Sequence, residues 1–185
     1  TCRTLEGADA RDFLHRLTTL GVRGTSASGD SSWGFFLTAV GKIRAAFKLS
    51  CATENSFRFE YDSGQEGEWD RALVEAIDQF TFAERQTLSP PSSLSCRWVF
   101  GALPPVASSL SNDLTVISHG SLDLGRSWWS IWGAEVALEK WQVGLATGLS
   151  APSRWIDRAQ WEAWRVAAIR PWFGTEITSE AMPLE

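Results

Sequence analysis

Apolar positions in the first half of the chain switch between two periods. Phe13, Leu14 and Leu17 recur at helical spacing and predict a helix over Ala10 to Leu20, with Asp9 placed to cap it. A polar stretch, Gly24 to Ser32, ends that unit. Trp33 to Thr38 and Ile43 to Ser50 then read as two strands of a hairpin, joined through Ala39-Val40-Gly41-Lys42 with Gly41 supplying a permissive backbone. Ser56 to Tyr61 alternates aromatic and polar residues at period two, as a half-exposed strand does. Trp69, Leu73, Ala76, Ile77 and Phe80 return to helical spacing over Glu68 to Phe80, and Thr81 to Leu88 is strand-like. Strand, helix, hairpin, helix, strand is the order of a ferredoxin-like unit.

Ser89-Pro90-Pro91-Ser92-Ser93 continues neither element, because proline lacks the amide donor and restricts the residue before it. It divides the chain into a first lobe, 1–93, and a second, 94–185. Beyond it the pattern predicts strands at Cys96 to Phe100, Leu114 to Ser118 and Ser127 to Trp132, a helix over Ala134 to Leu145, and a last helix from a cap at Asp157 to Ile169. Pro104-Pro105 breaks the chain within this lobe and Pro171 stops the final helix. The fold class is therefore α+β, in two α/β lobes.

Composition narrows the function classes. The 185 residues are 44% hydrophobic and 21% charged, enough apolar material for a core and too much for a disordered chain. Seventeen basic against 22 acidic residues give a net charge of -5, which argues against non-specific binding to duplex DNA. Three scattered cysteines, Cys2, Cys51 and Cys96, suggest neither a disulfide framework nor a zinc site. No signal sequence and no membrane-spanning run is visible, so a cytoplasmic protein is expected.

Chemistry is sparsely marked. His15 lies beside the stripe of the first predicted helix and reads as a helix-surface residue, while His119-Gly120 falls in a predicted turn. No nucleophile elbow, P-loop or dinucleotide fingerprint occurs. The conspicuous pattern is tryptophan and arginine interleaved at Arg154-Trp155, Arg158, Trp161, Trp164-Arg165 and Arg170-Pro171-Trp172. Two readings are open: indoles packed as core with arginines snorkelling outward, or indole and guanidinium planes that stack on a flat heterocycle.

Specific residues add a family resemblance. Leu5-Glu6-Gly7-Ala8-Asp9-Ala10-Arg11-Asp12-Phe13-Leu14 with Leu17-Thr18, then Gly41-Lys42-Ile43, resembles the N-terminal part of YgfZ-type proteins, which belong with the glycine-cleavage T-protein in a folate-binding superfamily. Trp161 to Glu185, through Phe173-Gly174-Thr175-Glu176 and Pro183-Leu184-Glu185, resembles the same family's closing segment. The resemblance implies two α/β lobes that can hold tetrahydrofolate, closed by a C-terminal β-barrel. The chain stops at Glu185, before the family's Lys-Gly-Cys motif, and so is a short form or a piece without the barrel.

For the YgfZ branch the resemblance implies iron-sulfur protein maintenance, with iron-sulfur proteins as partners, and a role in tRNA modification. For the T-protein branch it implies aminomethyl transfer to the folate. The T-protein's reacting-site aspartate corresponds to Arg44, Ala45 and Ala46, and the glutamate that holds the pterin corresponds to Ala167. A non-catalytic protein is therefore expected. Trp164, Arg165, Ala167, Trp172, Glu176 and Glu185 are the candidate ligand-binding residues, for tetrahydrofolate or another planar heterocycle. A folate-dependent transferase with relocated groups and a tryptophan-rich interaction module are the alternatives.

Overall fold

The computed structural model describes residues 1–24, 31–62, 67–101, 113–122, 126–148, 156–167, 176–178 and 181–182. Two compact units emerge: Thr1–Ser92 together with Pro171–Glu185, and Ser93–Arg170. The break after Ser92 falls in the proline-serine segment. The far end differs from a second lobe reaching to residue 185, because Ile177 and Ala181 pack on Ile43, Ala46 and Trp69 of the first unit. The amide of Ile43 also donates to Ala181 O at 2.9 Å.

In the first unit the described elements are β1 (Cys2–Gly7), α1 (Ala10–Leu17), β2 (Ser31–Leu37), β3 (Ile43–Thr53), β4 (Ser56–Glu60), α2 (Glu68–Asp78) and β5 (Gln86–Leu88). They form one five-stranded antiparallel sheet in the order β2-β3-β4-β1-β5. Gly41 turns the β2–β3 hairpin at φ 85°, a left-handed conformation that glycine adopts without steric cost.

Two boundaries and one cap depart from the pattern reading, each for a local reason. Helix α1 ends at Leu17 because Thr18 turns to extended backbone, φ -110° and ψ 164°, and bridges Phe36 of β2. Strand β5 is confined to its last residues because the Glu84 carboxylate accepts the amides of Phe82 and Ala83, holding 82–84 as a loop. Asp9 stands at the N-cap position of α1 without capping it; its carboxylate takes the amide and guanidinium of Arg85 instead.

One face of this sheet carries the core. Leu5, Phe36, Ala45, Phe47, Leu49, Cys51, Phe57 and Phe59 are buried against Ala10, Phe13 and Leu14 of α1 and Leu73, Ala76 and Ile77 of α2. The aromatic rings interlock: Phe47 meets Phe59 edge-on at 4.9 Å and Phe36 at 5.2 Å. At the rim, Arg3 forms a bidentate pair with Asp70 at 2.7 and 2.8 Å and donates to Ser89 O, while Tyr61 donates to the same carboxylate. The arginine holds Asp70 below the usual carboxylate range.

The second unit contains β6 (Ser95–Phe100), β7 (Leu114–Leu122), β8 (Arg126–Gly133), α3 (Glu135–Gly148) and α4 (Arg158–Ala167), with an antiparallel sheet ordered β6-β8-β7. His119 lies within β7 rather than in a turn, at a register irregularity between Ser118 and Ser121. Asp157 caps α4 as expected: it accepts the Gln160 amide at 2.8 Å while Gln160 Oε1 accepts the Asp157 amide, a reciprocal capping box. Among the described residues no helix is long and apolar enough to cross a membrane.

Candidate functional site

Directly opposed residues of paired strands present their side chains to the same side of a sheet. The register of the first unit therefore defines the contents of the face that α1 and α2 do not cover. Across one row stand Trp33, Lys48, Glu60 and Cys2, from β2, β3, β4 and β1. The next row carries Ser31, Ser50, Arg58 and Thr4. Beyond it, Ser56 donates to Glu6 at 3.0 Å. On the hairpin side lies an apolar end, where Phe35, Leu37, Ile43 and Ala46 are met by Ile177 and Ala181.

A solvated sheet face would explain this polarity, but the face is not solvated. Lys48 is only 6% exposed, Glu60 7%, Ser50 5% and Cys2 5%. Trp33, Arg58, Ser31 and Thr4 are half-buried. Removing charged groups from water costs several kcal/mol per ion, of order-of-magnitude size, so charges withdrawn in this way usually have work to do. The Lys48 ammonium stands 5.2 Å from the centre of the Trp33 ring, a cation–π approach that partly offsets its lost hydration. Burial pushes the Cys2 thiol up to about 11; Arg58 opposes that shift and Glu60 adds to it. Cys2 is thus a neutral thiol at physiological pH and no ready nucleophile.

The face combines an aromatic ring, two cations, a carboxylate and a row of hydroxyls beside an apolar patch. These are the kinds of donor, acceptor and apolar groups that a flat polar heterocycle requires. Among the described residues no group of three or more His, Cys, Asp and Glu side chains could hold a metal ion.

Neither a family model nor a curated protein sequence matches the chain. Among solved structures, the glycine cleavage system aminomethyltransferase T of Bartonella henselae is similar, with a TM-score of 0.77 over 98% of this chain. The fold is of the glycine-cleavage T-protein kind. Identity is 14% and the likeness covers 52% of that structure, so the chain spans about half of its length and the similarity is one of fold.

The three residues that the resemblance sets at the T-protein's reacting-site aspartate separate. Arg44 turns to α2, where it pairs with Gln79 and Glu75. Ala45 enters the core, and Ala46 alone lies at the apolar end of the polar face.

The candidate residues of the second unit are placed differently from a stacking site. Trp164 lies edge-on to Phe100 at 5.8 Å, and Trp161 stacks on Phe100 at 5.1 Å and meets Trp98 at 5.2 Å. Phe100 also lies parallel to Trp128 at 5.8 Å, with His119 4.4 Å from that indole. These rings fill the space between α4 and one side of the sheet, so the tryptophans here serve as packing. Arg165 is buried and pairs with Glu162, three residues earlier.

Ala167 is exposed at the end of α4. Glu176 is exposed and belongs to the first unit, so it does not join Trp164 and Arg165 in one compact body. Trp172 and Glu185 lie outside the described residues, as do Phe173-Gly174-Thr175 and Pro183-Leu184. Lys48, Arg58 and Glu60 escaped the pattern reading because their opposition exists only once the strand register is known. The available signal was the three charges inside strands rich in Phe, Leu and Ala.

Proposed function

We propose that this chain binds a small planar ligand of the reduced-folate kind on the polar face of its first sheet, and that it does not transfer an aminomethyl carbon. The observation that carries the reading is the buried row Trp33–Lys48–Glu60 within a T-protein-like fold. Tetrahydrofolate suits the residues present. Glu60 would accept from the ring NH groups, Arg58 would donate to its oxygens, and Trp33 and Phe35 would cover its plane. A bound tetrahydrofolate supplies a one-carbon acceptor nitrogen, and transfer needs a carboxylate to manage the proton there. Ala46, at the corresponding position on this face, supplies none.

The YgfZ-like role in iron-sulfur maintenance and tRNA modification belongs to the same proposal as a further step, exercised through partner iron-sulfur proteins. Its cellular test is loss of iron-sulfur enzyme activity on deletion. A second reading rests on Glu60, a buried carboxylate one row from Ala46, which would make the chain a transferase with a relocated acid.

Thermal unfolding with and without tetrahydrofolate tests binding, since a ligand present at about 100 times its Kd stabilises by about 2.7 kcal/mol. The expected result is a raised Tm that is lost in Lys48→Met combined with Glu60→Gln. No shift in the native protein overturns the reading. Tetrahydrofolate-dependent ammonia release from an aminomethyl donor, abolished by Glu60→Gln, would establish the second reading instead.

A further inference from the structure

The loop between α2 and β5 holds an aromatic ring out in solvent on a firm mount. Among the described residues no large apolar side chain is more exposed than Phe82, at 85%, and Phe80 stands exposed two residues before it. The backbone beneath them is tied at both ends. Toward α2, the Thr81 hydroxyl donates to Ile77 O at 2.9 Å. Toward α1, the Glu84 carboxylate accepts the Phe82 amide at 2.8 Å, the Ala83 amide at 3.1 Å and Arg16 Nη2 at 3.0 Å, while the Arg85 amide donates to Asp9 at 2.8 Å. A lone exposed apolar residue calls for no partner, but a ring already fixed in place has met part of the ordering cost that association imposes. The charges around it are sorted as well. On the α1 side the cations lie outermost: the Arg16 side chain is 56% exposed and its partner Glu84 16%, and Arg85 likewise stands further out than Asp9. On the α2 side the carboxylates lie outermost: Glu75 is 69% exposed and its partner Arg44 25%, and Asp78 is exposed at the helix end.

We infer that this surface docks a second copy of the chain about a two-fold axis at Phe82. Rotation about such an axis lays each flank of the patch on the opposite flank of the other copy, because a two-fold contact is made by one surface with itself. Arg16 and Arg85 of one copy then face Glu75 and Asp78 of the other, twice over, and the two Phe82 rings pack together at the centre. A patch with an apolar middle, outward cations on one flank and outward carboxylates on the other is complementary to itself, whereas a foreign partner would have to reproduce both signs in the same order. One loop with two helix flanks makes a small contact, so the pair forms and separates with concentration. The inference concerns the loop beside the helices and is independent of any ligand on the polar face.

Sedimentation equilibrium of the whole chain tests it. The mean mass should rise from 20.5 kDa toward twice that between about 1 µM and about 1 mM protein, and should rise less in high salt. Phe82→Asp should weaken self-association at least about tenfold, and Phe82→Ser, which adds no charge, should weaken it too. Because the ring is exposed, both variants should melt as the native chain does, which separates lost association from lost fold. Arg85→Glu and Asp78→Lys each set like charges against one another across the axis, so each alone should associate less than the native chain. An equimolar mixture of the two should recover the dimer, since each variant supplies the charge that the other lacks. A native chain that stays at 20.5 kDa throughout, association that both Phe82 variants leave unchanged, or a mixture that dimerises no better than its separate components overturns the inference.

Discussion

The two sheets of this protein are covered in contrasting ways. In the second unit apolar groups dominate both sides: Ile131, Val99, Leu114 and Val116 meet Leu138 and Trp141 on one, and the rings of Trp98, Phe100 and Trp128 meet Trp161 and Trp164 on the other, with Ser130 and Arg165 the buried polar residues among them. In the first unit the helix-covered side holds the apolar core, and the opposite side, beyond its apolar end, buries Lys48 and Glu60 and half-buries Arg58. Apolar packing accounts for most of what covers the second sheet. It does not account for the first, where apolar residues at the same positions would be as well buried without the desolvation cost of charges. On the proposed reading the second unit, for all its aromatic content, is the scaffold-like part, and the quieter first unit holds the ligand.

The largest effect that can break this contrast is in the first unit's own core. Phe47→Ala should cost about 3–5 kcal/mol, since the ring is fully buried between Phe36 and Phe59 and leaves a cavity the strands cannot close. Urea unfolding measures it. A loss below about 1 kcal/mol would mean that the helix-covered face is not the stabilising one.

Next comes the rim. Asp70→Asn removes a charged acceptor from Arg3 and Tyr61 and should cost about 1–3 kcal/mol. The pH dependence has a definite sign. Asp70 titrates below its unfolded value, so its stabilisation is present above the ordinary carboxylate range and is lost as pH falls through the lowered pKa. The native protein should therefore weaken more steeply than Asp70→Asn on acidification below about pH 4.

How much of this could be read from the chain differs between fold and site. The helices and most strands follow from period alone: Phe13, Leu14 and Leu17 mark α1, and the alternation Phe57, Phe59 against Ser56, Arg58 marks β4. Boundaries depend on bonds made across the fold, and two of them moved: Thr18 left the helix to bridge Phe36, and the Glu84 carboxylate held 82–84 out of β5. The site was not legible for a physical reason. Period two separates Lys48 and Glu60 from the core face, yet it cannot say whether that other face meets water. The tryptophan-arginine pattern was the louder signal, and within its described part Trp161 and Trp164 pack on Phe100, because indoles spaced along α4 satisfy their neighbours as readily as they would satisfy a ligand.

A smaller effect sharpens the contrast on the polar face. Lys48→Met combined with Glu60→Gln should change stability without ligand by less than about 1 kcal/mol, because the lost attraction is offset by the desolvation no longer needed. A ligand-free loss comparable to that of Phe47→Ala would make these charges structural. The Cys2 thiol offers a probe of the same face. With its pKa near 11, it should resist alkylation at pH 8, and its contribution to stability is present below the ordinary thiol value near 9 and lost between there and about 11. Mass spectrometry should find half-buried Cys96 modified first.

The smallest expected effect discriminates most sharply between the units. Ala167 is exposed at the final position of α4, so a glutamate there displaces nothing and meets only the unfavourable end of the helix dipole, a cost of about 0.3–1 kcal/mol. Ala167→Glu should accordingly fold and melt nearly as the native chain does. The substitution also restores the carboxylate that the family resemblance places at this position. If the groups that recognise the ligand are those of the first sheet, tetrahydrofolate affinity should be unchanged, whereas Arg58→Gln and the Lys48/Glu60 pair lower it. A gain of tenfold or more in Ala167→Glu, roughly what one added charge-assisted hydrogen bond supplies, would show that α4 also touches the ligand, and the second unit could then no longer be treated as scaffold.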